Sequence, residues 1–250
     1  MILTSIYNKR FYNDQKSGSK SSAEEIVPLV LDLVRPQSVI DVGCGVGTWL
    51  SVFVERGITD YLGVDGEWLD KRLLQIPKSN FLCYDLTKPL LIDRNFDLAV
   101  SVEVAEHIPS KFAPLFVESL TNLSSVILFS AAIPRQGGAR HVNEQWPSYW
   151  VDLFEKKDYT VVDALRRKIW KNKKVEYWYA QNILIFANLK TLKNFPSLNE
   201  EFLLRTFKDQ LSIVHPDVYL AKARATELSI EHMKEILLSL PRRIRNARRA

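Results

Sequence analysis

Three glycines at alternate positions, Gly43, Gly45 and Gly47, follow an apolar run that ends at Asp41 and Val42. A strand feeding a tight glycine loop that opens a helix presents backbone N–H groups and a helix N-terminus to a nucleotide-like ligand. Gly43 permits a sharp exit from the strand, and Gly45 and Gly47 carry no Cβ to block an approaching ligand. The spacing is G-x-G-x-G; a dinucleotide fingerprint needs a further glycine where Thr48 stands. Two more acids fall at predicted strand ends. Asp65, 18 residues after Gly47, can accept hydrogen bonds from vicinal ribose hydroxyls. Asp85 can accept from an exocyclic amine of adenine while the Leu86 N–H faces a ring nitrogen.

The elements that position these groups alternate. Strands are expected at 38–42, 60–65, 81–84, 96–101 and 125–130, with helices at 48–56, 67–75 and 110–121 between them. Alternation of this kind implies βαβ units and a parallel sheet. A helix at 147–157 precedes strands at 159–164 and 182–187, whose connection suits an antiparallel hairpin closing the sheet edge. Before the sheet, residues 1–21 are expected to form an irregular arm. A capping-box spacing at Ser22 to Glu25 then starts a helix running to Val34, with Pro28 as a kink. From Leu189 to 250 a helical extension is expected, at 200–213 and 222–240, leaving residues 22–188 as the main domain. In its last helix Ile230, Met233, Leu237 and Leu240 form a seam that packs on the body or joins two copies as a homodimer.

Charge separates the tail from the body. The last ten residues hold five arginines and no acid, which equals the whole net charge of +5, so residues 1–240 are neutral. A neutral body argues against a nucleic-acid partner, which a basic face would attract. A local exception is Arg166 to Lys174, six basic residues among nine. The arginine tail suits an acidic surface or a link to a further domain after residue 250. No apolar run approaches about 18 residues, and the N-terminus lacks a secretory pattern, so a cytoplasmic chain without membrane attachment is expected. Cys44 and Cys83 form no metal or disulfide framework.

Together with Phe96 to Ile108, whose E-H-I ending is Glu106-His107-Ile108, these residues resemble the class I S-adenosylmethionine-dependent methyltransferases, in particular the branch acting on small molecules and natural products. The resemblance spans roughly residues 22–187. It implies an α/β, Rossmann-like sheet of seven strands, mostly parallel with a terminal antiparallel hairpin. It implies S-adenosylmethionine as cofactor. Asp41 and the loop Gly43, Cys44, Gly45 and Gly47 would hold the amino-acid portion. Asp65 would take the ribose, Asp85 and Leu86 the adenine, and Ser101, Val102 and Glu103 the methionine side, with Gly66 also among the cofactor-binding residues.

Methyl transfer needs a base only when the acceptor is protonated at working pH, as a hydroxyl is and a carboxylate is not. The chain has only four histidines. His141, in a glycine-containing loop after the fifth strand followed by Trp146, Tyr149 and Trp150, is the first candidate base or substrate contact. His107, just past the fourth strand, is the second. Glu103-x-x-Glu106-His107 with His141 downstream resembles the metal-ligand pattern of small-RNA 2′-O-methyltransferases. Those carry a second downstream histidine, whereas Ala139 and Asn143 flank the loop here, so no metal is expected. The expected activity is O-methylation of a small molecule, sugar or natural product, a peptide carboxylate included. An RNA methyltransferase would need a basic face joining 166–174 to the tail. A binding protein that keeps the cofactor fold without turnover is the third reading.

Overall fold

The computed structural model describes residues 9–204 and 207–239. Seven strands, β1 (Ser38–Val42), β2 (Asp60–Asp65), β3 (Phe81–Cys83), β4 (Leu98–Val102), β5 (Val126–Ser130), β6 (Tyr159–Val162) and β7 (Leu184–Asn188), form one sheet in the order β3-β2-β1-β4-β5-β7-β6. All pairings among β1 to β5 are parallel; β7 runs antiparallel to both β5 and β6. This is the expected Rossmann-like sheet.

β1, β4 and β5 are buried along their whole length, so they read as apolar runs rather than alternations. Val39, Leu98, Val100 and Leu128 face one layer, with α1 (Lys9–Val34) and α2 (Thr48–Glu55). Ile40, Ala99, Ile127 and Phe129 face the other, with α3 (Ala113–Leu123) and α4 (Pro147–Glu155). Strand order reverses between β1 and β4, and in open sheets of this kind a ligand crevice lies beyond the carboxyl ends of the strands at such a switch.

Several expectations change. Residues from Lys9 onward are helical, and α1 runs without interruption through Pro28. Tertiary contacts support this polar stretch: the Ser21 hydroxyl donates to the Lys174 carbonyl at 2.8 Å, and the Glu176 N–H donates to Ser22 Oγ at 2.9 Å. Residues 67–75 form turns, not a helix. They dock on the glycine loop, where the Gln75 N–H donates to the Val46 carbonyl at 2.7 Å. Between β6 and β7, which pair antiparallel as expected, the chain forms two short helices, α5 (Arg166–Ile169) and α6 (Tyr177–Asn182).

The chain divides into two compact units, Met1–Ile213 and Val214–Ala250. The division falls beyond the expected 188/189 boundary because α7 (Pro196–Leu203) and the turn after it belong to the first unit, whose core includes Leu192, Leu198 and Leu211. The second unit contains α8 (Pro216–Ser239), longer than the expected 222–240 at its start. Ile230 and Met233 on α8 are exposed, while Leu240 and the arginine tail lie outside the described residues. No helix of the described residues is long and apolar enough to cross a membrane.

Candidate active site

Two cavities open beyond the β1 and β4 ends. The smaller, about 120 Å³, is bounded by Asp41, Gly43, Cys44, Gly45, Trp49, Val102, Glu103 and Tyr179, with Ser19 of α1 on its wall. The larger, about 540 Å³, runs from Asp65, Asp85 and Leu86 past Glu103 and Glu106 to His107, His141, Trp68 and the α6 aromatics Tyr177, Trp178 and Tyr179. Gly43, Gly45, Glu103 and Tyr179 border both.

The glycine loop departs from the strand with Gly43 at φ 88°, and a Cβ there would stand 2.4 Å from Val104 Cγ2. Space around Gly45 is open, as an approach to ligand requires. Gly47 has a different job: its Cβ would strike Ile76 at 2.9 Å, so it admits the 67–77 segment rather than a ligand. Neither Gly47, Gly66 nor Ser101 borders either cavity. The Ser101 hydroxyl is buried without a hydrogen-bond partner.

Asp65 ties the loop to β2. Its Oδ2 accepts the Gly45 N–H and its Oδ1 the Gly66 N–H, each at 2.6 Å. Burial pushes its pKa up, and the two N–H groups work against that. Each oxygen retains a lone pair for a further donor. Asp41 is buried at the β1 end, and burial, then the charge of Asp65, raises its pKa well above the usual range. Burial likewise holds the Cys44 thiol protonated, with the Asp41 and Asp65 charges adding to the effect. Asp85 is half-exposed; the Thr87 hydroxyl at 2.6 Å and the Thr87 N–H at 3.0 Å hold its pKa down.

Beyond β4 the backbone takes a left-handed turn at Glu103, φ 54°, fixed by its N–H donating to the Ser130 carbonyl and hydroxyl, each at 3.0 Å. The Glu103 carboxylate accepts from Gln136 Nε2 and Asn182 Nδ2, each at 3.1 Å. Burial raises its pKa despite these donors. A single 3-10 turn, Ala105–His107, then carries Glu106 inward and His107 to the cavity. Glu106 is fully buried, and neither carboxylate oxygen has a hydrogen-bond partner. Burial, then the charge of Glu103, pushes its pKa well up.

The loop after β5 returns over this turn, because the Val142 and Asn143 N–H groups both donate to the Glu106 carbonyl, at 2.9 and 3.0 Å. That places the His141 ring 5.0 Å from His107, edge to face. Gly138 leaves the room this imidazole fills: a Cβ there would lie 2.2 Å from Nε2. His141 Nδ1 lies 2.9 Å from Glu144 Oε1, an arrangement that leaves Nε2 as the accepting nitrogen when Nδ1 carries the proton. His107 is held down to about 4, by loss of hydration first and by charge on His141 second, so it is neutral at physiological pH. Against the expectation of no metal ligands, Glu106, His107 and His141 each bring one ligand-type atom to within 4.8 Å of the others.

Thus the expected acids and both histidines converge on the crevice. Of the two aromatic stretches the sequence offers, 146–150 and 170–179, only the second borders the larger cavity. Trp146, Tyr149 and Trp150 do not border the cavity; Trp150 packs against Phe129 in the core at 5.2 Å. Tyr177, Trp178 and Tyr179 of α6, which the sequence offers as pocket lining, form the aromatic wall together with Trp68. Gln136, Asn182 and Glu144 were not singled out from the sequence. The His141-x-x-Glu144 spacing was the available signal for one of them; the other two meet Glu103 only through the fold.

The residues present fit S-adenosylmethionine: an open glycine cradle, buried acids at two strand ends, and a half-exposed one where an adenine would lie. A family model described as a methyltransferase domain matches residues 18–167. Among solved structures, the chain is similar to magnesium protoporphyrin IX methyltransferase from Synechocystis with bound S-adenosylhomocysteine. That match has 15% identity and TM-score 0.53, covering 75% of this chain and 98% of the other. It is also similar to an O-methyltransferase family protein from Burkholderia thailandensis, with 12% identity and TM-score 0.51, covering 73% of this chain and 60% of that one. No curated protein matches the sequence. With more than half its length matched by that family model, the chain belongs to the methyltransferase-domain family and is a class I S-adenosylmethionine-dependent methyltransferase.

Proposed function

We propose that the protein methylates a hydroxyl oxygen of a small molecule, a sugar or aromatic natural product. The observation that carries this reading is the His107–His141 pair on the wall of the larger cavity, with His141 oriented by Glu144. When bound, S-adenosylmethionine supplies a methyl on a cationic sulfur: the acceptor oxygen gains the C–O bond, the C–S pair stays with sulfur, and the hydroxyl proton must leave. An acceptor that is already anionic needs no imidazole at that place. A hydroxyl does, and His141 Nε2 is the group positioned to draw on its proton. Trp68, Tyr177 and Trp178 offer flat faces to a ring-shaped acceptor, and about 540 Å³ suits a small molecule once the cofactor has taken its share.

Charge supports the same reading over RNA. The basic cluster is divided among acids. Arg166 is buried on Asp163 at 2.6 Å, Arg167 and Lys168 both meet Glu201, and Lys174 meets Glu25 at 3.0 Å. That leaves a weak basis for an electrostatic track.

The test is S-adenosylhomocysteine release from the full chain with S-adenosylmethionine and a panel of sugars, phenols, carboxylic acids and RNA oligomers. Turnover confined to hydroxyl acceptors, lost in His141→Ala, supports the reading. Turnover on a carboxylate that survives loss of both His107 and His141 points to the carboxylate variant. Turnover on RNA alone overturns the small-molecule assignment, and cofactor binding without release on any acceptor class favours a binding protein.

A further inference from the structure

We propose that the carboxylate of the cofactor's amino-acid end is held by two neutral donors, the Trp49 indole N–H and the Tyr179 hydroxyl, rather than by a cation. The first observation is Trp49 itself. It is the second residue of α2, 4% exposed, and it borders the smaller cavity. Its Nε1 is buried without a hydrogen-bond partner. The Tyr179 oxygen is near enough to be influenced by this N–H, with the rings 5.2 Å apart, but the two do not meet in hydrogen-bond geometry. An indole nitrogen can only donate, and a buried donor left without an acceptor is costly, so a ligand oxygen is the missing partner.

The second observation is Tyr179. It is buried on α6 and borders the same cavity. Ser19 Oγ lies 3.3 Å from its hydroxyl oxygen. That pair carries two protons and uses one between them, which leaves one O–H for a ligand; with Ser19 as the donor it is that of Tyr179. Burial pushes Tyr179 up to about 12, so the hydroxyl keeps its proton at physiological pH.

The third observation is charge. Among the described residues no Lys, Arg or His borders this cavity, while Asp41 and Glu103 do. The acids stand at or just past the ends of β1 and β4; the donors come from α2 and α6. An amino-acid end carries an ammonium and a carboxylate. The acids suit the first, which leaves the second to the helix donors. Hydrogen bonds to a charged group are stronger than neutral ones, so the pair selects a carboxylate without an opposing charge. Tyr179 also borders the larger cavity, beside Tyr177 and Trp178. The clamp therefore ties the amino-acid end of the cofactor to the α6 surface. It rests on the cofactor assignment and not on the hydroxyl-acceptor reading.

The experiment is calorimetry of the full chain with S-adenosylhomocysteine, with its decarboxylated analogue, which keeps the ammonium, and with methylthioadenosine, which lacks the amino-acid end. The parent should bind S-adenosylhomocysteine more tightly than the decarboxylated analogue. Trp49→Phe and Tyr179→Phe should each weaken S-adenosylhomocysteine about 10–100-fold and leave the other ligands unchanged. Tyr179→Phe removes a single oxygen and keeps the ring, so it reports even where the indole replacement perturbs the core. Equal loss for every ligand at a parental urea midpoint assigns both residues a packing role and overturns the clamp. Binding of S-adenosylhomocysteine indifferent to both variants overturns it as well. Amide exchange at 177–182 should slow with S-adenosylhomocysteine and not with methylthioadenosine; equal slowing overturns the tie to α6. Failure of hydroxyl acceptors in the turnover panel touches none of these readouts, so the two readings fail separately.

Discussion

Glu144 Oε1 lies 2.9 Å from His141 Nδ1, and the same carboxylate accepts the Arg135 and Gly137 N–H groups, each at 2.7 Å. One side chain therefore fixes both the imidazole and the loop that carries it. Burial works to raise its pKa, but His141 and the two N–H groups outweigh that and hold it low. Glu144→Ala should cost about 2–3 kcal/mol, the worth of hydrogen bonds to a charged group. Amide exchange should speed up selectively at 135–141. A variant with parental urea stability and parental exchange there would refute this.

Asp65 has two duties, holding Gly45 and Gly66 by its two oxygens and facing the larger cavity. Asp65→Asn replaces one acceptor with an NH₂ group that meets an N–H. Cofactor affinity should fall about 10–100-fold, the equivalent of one charge-assisted hydrogen bond. Calorimetry with S-adenosylmethionine measures it directly, and an unchanged Kd would remove Asp65 from the binding set.

At Gly43 the strain is of two kinds, a left-handed backbone and a Cβ that would collide with Val104. Gly43→Ala should cost about 2–4 kcal/mol. Adding Val104→Ala should relieve the collision and leave the backbone cost, so the double variant recovers part of the loss in chemical denaturation. Full recovery, or none, would show that only one of the two operates.

Asp41 sets a pH dependence. Its folded pKa lies well above the ordinary 3.8, because of burial first and the charge of Asp65 second. Above pH 3.8 the unfolded chain has released this proton while the folded chain still holds it. Stability therefore falls as pH rises from there through the raised folded value. Asp41→Asn should flatten that slope and be more stable than the parent near neutrality by about 1–3 kcal/mol, with weaker cofactor binding. Urea midpoints at about pH 5 and about pH 8 decide it; a parent chain more stable than the variant at both would contradict the sign.

Much of the sheet was legible because its signals are local. Apolar runs broken by glycine and acids mark β1, β2 and β4, and the three expected acids stand at or just past strand ends. Features set by distant contacts were not legible. The polar residues before Ser22 are poor helix formers on composition alone. Ser21 and Ser19 meet Lys174 and Tyr179, more than 150 residues away, and become part of α1. The 67–75 stretch has helical periodicity, yet docking of Gln75 on Val46 and Thr48 holds it in turns. In the site, Gln136 and Asn182 carry no motif; only the fold brings both onto Glu103. Trp150, beside the loop offered for substrate contact, turns to the core for a similar reason. Trp150 has a better partner in Phe129 than in any ligand.

α1 has a consequence for timing. Ser19 borders the smaller cavity and its hydroxyl lies 3.3 Å from Tyr179 OH, while Glu25 binds both Asn172 and Lys174. The helix is thus a wall of the smaller cavity, fastened to the segment that leads into Tyr177 and Trp178 of α6. A wall fastened in this way is expected to govern residence more than affinity, which the release rate of S-adenosylhomocysteine set against its Kd would show. Serine-to-alanine changes at Ser19, Ser21 and Ser22 would shorten the stay of the spent cofactor with little change in its equilibrium grip. Where release is the slow step, the enzyme's pace is governed by a helix that never touches the methyl group.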